Sequence, residues 1–161
     1  EVGYVFQNPD HQLLAPTVHE EATFLARNLG LEAKVAPLAE ADLRDADLWE
    51  RRGDHPFRLS YGQKRRLNLV AATVHRPKVI LADEPLIGQD AANADLLLGR
   101  LRRAADEGAC VVAALHDPAA VWQVADRVLF LAEGEVLVDA PPAVAFAELA
   151  RLGRSAYAVT G

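Results

Sequence analysis

The sequence predicts an α/β fold with a parallel sheet, and three observations carry that expectation. Short apolar runs at residues 2–6, 79–82 and 109–115 alternate with longer segments of helical periodicity. Helix punctuation falls between them: Thr17 and Ser60 each begin a capping box, and Gly30, Gly53 and Gly108 close helical stretches. Third, Val79-Ile80-Leu81-Ala82 runs directly into Asp83-Glu84-Pro85. Such an apolar run reads as a buried parallel strand, and open α/β sheets place their ligands at the C-terminal edge of such strands. Two adjacent carboxylates repel each other and resist burial unless a cation or a proton relieves them. Asp83 and Glu84 therefore mark a metal-bearing edge, with Asp83 as a Mg²⁺ ligand and Glu84 as the group that polarises a water.

Taken in order, residues 2–6 form a strand ending at Gln7, and Asn8-Pro9-Asp10 breaks it because proline cannot continue a ladder. In the first capping box the Thr17 hydroxyl accepts from the Glu20 amide and the Glu20 side chain returns to the Thr17 amide; a helix then runs to Asn28 and stops at Gly30. A second helical stretch, 32–52, is interrupted near Pro37 and closed by Gly53. Ser60 and Gln63 form the next capping box, and the helix behind them carries Leu67, Val70, Ala71 and Val74 on one stripe before ending ahead of Pro77. Beyond the central strand, a loop over 86–90 ends in Asp90 as the N-cap of a helix over 91–107. Residues 109–115 form a second buried strand, with Cys110 in its core, ending at His116. Asp117-Pro118 opens a helix with a cap and a proline at its first position. Residues 127–138 form a hairpin about Glu133-Gly134, and 141–152 the last helix. The expected organisation is a single domain over 1–161. Its α/β core is 1–28 and 76–140, a helical subdomain is inserted at 29–75, and a C-terminal helix and tail occupy 141–161. Parallel pairing calls for helices on both sheet faces.

With 161 residues and 51% hydrophobic content the chain can bury a substantial core. Its net charge of −6 argues against a broad phosphate-binding surface, so no nucleic-acid partner is expected. One cysteine excludes an internal disulfide and suits a reducing compartment. No apolar stretch approaches the roughly 20 residues that span a bilayer, so any membrane role is peripheral. The chain opens on Glu1 and contains no methionine, so truncation of a longer protein is expected.

Gln7, Leu59-Ser60-Tyr61-Gly62-Gln63, Val79 to Glu84, Asp90 and His116 all fall at ends of strands or helices, and in this order they resemble the ATP-binding subunit of ABC transporters. Gln7 matches the Q-loop glutamine, Leu59 to Gln63 the signature sequence, and Val79 to Glu84 the Walker B strand. Asp90 matches the D-loop aspartate and His116 the switch histidine. The resemblance implies a partial P-loop NTPase-type sheet, the C-terminal part of such an ATPase, truncated before the Q-loop. It implies ATP and Mg²⁺ as cofactors, Glu84 and His116 as catalytic residues, and Gln7, Ser60, Gly62, Gln63 and Asp90 as nucleotide-binding residues. Asp83 and Gln7 are the implied metal ligands. Physically, a capped helix N-terminus presents free amides and a positive dipole end to phosphate, and an imidazole N–H can meet a γ-phosphate oxygen. The implied partners are a second ATPase subunit, in a head-to-tail dimer, and transmembrane subunits, which place the chain peripherally on the cytoplasmic membrane face. Val5 to Leu13, Thr17 to Glu21 with Phe24, His55-Pro56-Phe57 and Lys64-Arg65-Arg66 are similar to the energy-coupling-factor group, importers of vitamins or of cobalt and nickel ions.

Three departures stand out. Tyr61 replaces the usual first glycine of the signature pair, and its ring is expected to point outward from the first helical turn. Leu86, Ile87 and Gln89 replace commoner residues beside the D-loop. No Gly-x-x-x-x-Gly-Lys-Ser/Thr occurs, so the fragment is expected to be inactive by itself; the alternative is a non-catalytic partner module. The segment Asn8 to Thr17, whose Pro9, Leu13, Leu14 and Pro16 are unexpectedly apolar for an exposed loop, is expected to form a contact surface for transporter subunits together with the helical insert around Ala33 to Trp49.

Overall fold

A computed structural model describes residues 2–157, which divide into two compact units, 1–114 and 115–161. The first holds a three-stranded parallel sheet in the order β1 (Val2–Val5), β2 (Val79–Asp83), β3 (Cys110–Ala114). Val5 pairs with Ala82, and Ala82 with Ala113, so the strand ending in Asp83 lies in the middle. Four helices accompany it: α1 (Val18–Asn28), α2 (Glu32–Asp45), α3 (Tyr61–Thr73) and α4 (Ala91–Asp106).

Caps set the helix ends. Thr17 accepts from the Glu20 amide at 3.2 Å as expected, but Glu20 Oε2 accepts from the Thr17 hydroxyl at 2.8 Å instead of returning to the backbone. α2 runs unbroken through Pro37, because Val35 and Ala39 on either side are fully buried and packing holds the turn together. The interruption expected there falls at Ala46 to Leu48, where Asp47 takes φ +54° and the Leu48 amide returns to the Leu43 carbonyl. Trp49–Arg51 is then a separate 3₁₀ turn.

α3 is the central element. Leu67, Val70 and Val74 face a core made with Val18, Ala22 and Leu43 of α1 and α2 or with Ala26, Val35 and Ala39, while Leu69 and Ala72 lie on the sheet beside Val5, Ile80, Ala82, Leu97 and Leu101. Gly3 makes this approach possible, since a Cβ there would sit 2.2 Å from the Ala72 carbonyl oxygen. Helices cover one sheet face only: Val2, Tyr4, Phe6 and Val112 on the other are exposed among the described residues, contrary to the expectation of cover on both. Cys110 lies on the open face and is exposed, not a core residue, because β3 alternates.

The second unit contains α5 (Pro118–Val124), the antiparallel hairpin β4 (Val128–Ala132) and β5 (Glu135–Ala140), and α6 (Pro142–Arg151). Glu133 and Gly134 both adopt positive φ, the primed turn that matches strand twist. Val138, Ala145, Phe146 and Leu149 form its core with Phe130 and Val121. No helix of the described residues is long and apolar enough to cross a membrane.

A buried ion cluster ties α2, α3 and α4 together. Asp42, 5% exposed, accepts two bonds from Arg76 at 2.8 and 3.2 Å and pairs with Arg100 at 2.7 Å, and Arg100 Nε donates to the Thr73 hydroxyl at 3.0 Å. Burial pushes the Asp42 carboxyl up, but the Arg76 hydrogen bonds and the Arg100 charge outweigh it and hold the group below its ordinary value. A depressed pKa stabilises the fold fully above the unfolded value of about 3.9, and the contribution fades as pH falls through the lower folded value. Asp42→Asn is expected to cost about 3 kcal/mol at pH 7, because Arg100 then stays buried without its carboxylate. Urea titrations at pH 7 and pH 3 check this: the difference between wild type and variant is large at pH 7 and shrinks at pH 3.

Candidate functional site

β2 delivers its two carboxylates to the C-terminal edge of the sheet. Asp83 is the last residue of the strand, half-buried, with Ala114 of β3 as its register partner. Glu84 leaves the strand at φ +46°, a left-handed conformation that costs a non-glycine residue about 1 kcal/mol or more. Parallel pairing of β1 with β2 brings Gln7 alongside, and Gln7 Nε2 donates to Glu84 Oε2 at 2.9 Å across 77 residues of sequence. Gln7, Asp83 and Glu84 together offer oxygen donors of the hard type that suits Mg²⁺. Among the described residues no cluster of three His, Cys, Asp or Glu forms a self-sufficient metal cage.

Arg65 of α3 fixes the end of β1. Its two terminal nitrogens donate to the carbonyls of Phe6 and Gln7, and its side chain is wholly buried. Two more residues of the same helix continue the clamp. Asn68 Nδ2 donates to the Pro9 carbonyl at 2.9 Å, and Lys64 Nζ pairs with Asp10 at 2.8 Å. The segment after β1 is thus fastened to the helix that carries the signature residues.

The N-terminus of that helix is a reciprocal capping box. The Ser60 amide donates to Gln63 Oε1 at 2.9 Å, and the Gln63 amide to Ser60 Oγ at 3.3 Å. Amides at the start of a helix have no intrahelical acceptor and carry the positive end of its dipole. A second helix N-terminus lies against it: Asp90 accepts from the Asn93 amide at 2.8 Å and from Asn93 Nδ2 at 3.0 Å. A Cβ on Gly62 would meet Asn93 Nδ2 at 3.0 Å, so glycine is what lets the two termini sit together.

Gln7, Glu84, Ser60, Gly62, Gln63 and Asp90 are therefore linked through contacts within the first unit, with Asp83 next to Glu84 in the chain. His116 follows β3 in the chain and belongs to the second unit, just ahead of α5 capped by Asp117. Tyr61 is exposed in the first turn of α3, as expected, and it also makes inward contacts: its ring edge lies against Gly88, and its hydroxyl accepts from Arg65 at 3.4 Å. Of the loop expected to be exposed and apolar, Pro9 and Leu13 are buried, because Asn68 and the α1–α3 core take them in. Leu14 stays 70% exposed, on a loop whose Leu14 and Ala15 amides both donate to the buried Glu21 carboxylate at 2.7 Å. Burial pushes the Glu21 carboxyl up against the lowering effect of those two amides. A cavity of about 200 Å³ opens at the opposite, N-terminal edge of β2, lined by Asp42, Arg76, Lys78, Arg100, Arg103 and Glu107. Its arginines and acids are committed to one another, so it competes poorly as a ligand site.

Gly88 and Asn93 went unread in the sequence, and Arg65 was read only within the run Lys64-Arg65-Arg66 that resembles the energy-coupling-factor group. A signal for Arg65 was present: Lys64-Arg65-Arg66 follows a capping box in a helix that is buried almost all round, so not every cation there can reach solvent. The strain at Glu84 generates a stability prediction. Glu84→Gly relieves the left-handed conformation and gives up the exposed hydrogen bond from Gln7, and with the relief of strain outweighing that exposed contact it is expected to leave stability unchanged or raise it by about 0.5 kcal/mol. A chemical-denaturation midpoint that falls by more than about 1 kcal/mol would contradict the strain assignment.

A family model described as ABC transporter matches residues 1–87. The energy-coupling factor transporter ATP-binding protein EcfA of Methanothermobacter thermautotrophicus is 36% identical over 159 residues, covering 94% of this chain and 50% of that protein. The solved structure of cbiO1 from Clostridium perfringens, described as part of the ABC transporter complex cbiONQ, superposes with a TM-score of 0.76 at 28% identity. It covers 95% of this chain and 64% of that one. An ATP-binding subunit of an ABC transporter gives a TM-score of 0.79 at 24% identity, over 96% of this chain and 63% of that one, and speaks to the fold. The chain spans between a quarter and about half the length of the curated relatives it matches. The strand–carboxylate edge, the capped helix and their order along the sequence agree with a family match over more than half of the residues, and the chain belongs to the ABC transporter family.

Proposed function

We propose that this chain is the part of an ATP-binding and ATP-hydrolysing subunit that positions the γ-phosphate and the attacking water, in an ABC transporter of the energy-coupling-factor type importing a vitamin or a cobalt or nickel ion. The observation that carries it is the Gln7–Glu84 hydrogen bond beside Asp83, at the C-terminal edge of the sheet and within one network with the capped helix of Ser60 and Gly62. The EcfA relative and the cbiO1 structure support the importer subtype. Residues 29–75 act in this reading as a helical subdomain inserted in a single nucleotide-binding domain over 1–161.

In the mechanism, Asp83 and Gln7 are the residues that would hold Mg²⁺ through oxygen, and the ion when bound would supply charge neutralisation for the phosphates. Glu84 accepts a proton from, or orients, the water that attacks the γ-phosphate in line. The Gln7 amide nitrogen donates to Glu84 and so holds the carboxylate in place until nucleotide arrives. Ser60, Gly62 and Gln63 present helix amides to the γ-phosphate bound by a second subunit in a head-to-tail dimer, and Asp90 sits beside them. His116 donates an imidazole N–H to a γ-phosphate oxygen. Transmembrane subunits dock on the loop bearing exposed Leu14, from the cytoplasmic membrane face.

Two measurements on the assembled transporter test this. Glu84→Gln is expected to retain ATP binding and lower turnover by about a hundredfold or more. Near-normal turnover would remove Glu84 from its role. Ser60→Arg places a long cation where the phosphate must meet the helix terminus, so ATP-dependent subunit closure in the Glu84→Gln background is expected to be lost while the fold persists. Closure that survives would place the trans contact elsewhere.

A further inference from the structure

Tyr61 stands where the family signature has a glycine, and the structure gives its side chain two specific neighbours, Gly88 and Arg65. The ring lies on Gly88, where a Cβ would be 3.1 Å from Tyr61 Cε1 and where φ is +71°, so both space and conformation demand glycine. The hydroxyl accepts from Arg65 Nη2 at 3.4 Å, and the Arg65 guanidinium lies 5.9 Å from the ring centroid. Arg65 in turn holds the carbonyls of Phe6 and Gln7. Among the described residues this wholly buried guanidinium has no carboxylate partner, and its Nε makes no hydrogen bond. Backbone carbonyls and the Tyr61 side chain are what compensate its charge.

We infer that Tyr61 is a positioning residue of the nucleotide site: with Arg65 and Gly88 it forms a latch within one chain that moves the Gln7 end of β1, the loop after Glu84 and the N-terminus of α3 as one body. This rests on the function proposed above for Gln7 and Glu84. The physical consequence is a coupling. The backbone at Gln7 cannot shift relative to α3 without dragging the two carbonyls on Arg65, and Arg65 cannot follow without lifting Tyr61 from Gly88. A signature glycine has no side chain with which to make this connection, so the two halves of the site would shift more independently in a chain that carries one.

Two readouts test the latch. The first needs no nucleotide: hydrogen exchange at the end of β1 and in the first turn of α3. Tyr61→Phe keeps the ring and loses one hydrogen bond to a charged group, so exchange in both segments is expected to rise together, by about tenfold. Gly88→Ala displaces the ring and is expected to have the same double effect. The second readout is turnover in the assembled transporter. Tyr61→Phe and Arg65→Lys each lower kcat about tenfold with KM for ATP within about twofold, and the double variant is no worse than the poorer single one. Exchange that changes in one segment only, or additive effects on kcat, would overturn the latch. A parent transporter that binds no ATP would overturn the proposed function and leave the exchange result to decide the latch by itself.

Discussion

The arrangement of the site depends on one buried cation. Arg65 sits in α3 with its guanidinium wholly out of water and spends its donors on the last two backbone carbonyls at the end of β1. Burying an arginine is costly unless its fork is matched by acceptors, and two carbonyls at adjacent residues provide that match in a planar geometry lysine cannot reproduce. The interaction fixes where Gln7 leaves the sheet. Gln7 then meets Glu84, which is itself held in a strained turn. A site made of groups that each constrain the next is pre-organised without being bulky.

Why α3 bears this task follows from its burial. Its residues 67–73 are all buried, toward α1 and α2 on one side and the sheet on the other. A helix packed all round cannot tilt independently of its neighbours, so its N-terminal turn inherits the rigidity of both layers. The Asp42 cluster adds a second tie at the far end, where Arg76 and Arg100 converge on one carboxylate from the chain after α3 and from α4. Ahead of both ties, the capped end with Ser60 and Gly62 is the part left to face a ligand.

Much of this was legible in the residues because local chemistry decided it. The Ser60–Gln63 box, the Asp90 and Asp117 caps and the Glu133-Gly134 turn need only their own neighbours, and each appears where the sequence places it. What escaped was set by tertiary packing. Pro37 reads as a break, yet buried Val35 and Ala39 carry the helix past it. The apolar run around Cys110 reads as buried on both faces, yet alternation leaves that cysteine exposed. Pro9 and Leu13 read as a surface loop, yet Asn68 reaches the Pro9 carbonyl and draws the segment into the core. In the site, single residues at strand and helix ends could be named, but the contacts between them could not. Arg65 to Gln7 spans 58 residues and Gln7 to Glu84 spans 77, and no local pattern encodes such pairs.

The Glu84 turn shows why a protein keeps strain at such a place. A glycine would adopt φ +46° more cheaply, and an extended strand end would avoid it altogether. The left-handed residue directly after Asp83 lets two successive carboxylates leave the same strand end without being forced into the opposite-face alternation of a regular strand. It also lets Glu84 take the Gln7 amide as a neutral partner, which relieves some of the repulsion between adjacent carboxylates before any cation is present. A carboxylate kept near another by a hydrogen bond to a movable amide can exchange that partner for water or metal with little reorganisation. That is the property an edge built for phosphate chemistry requires.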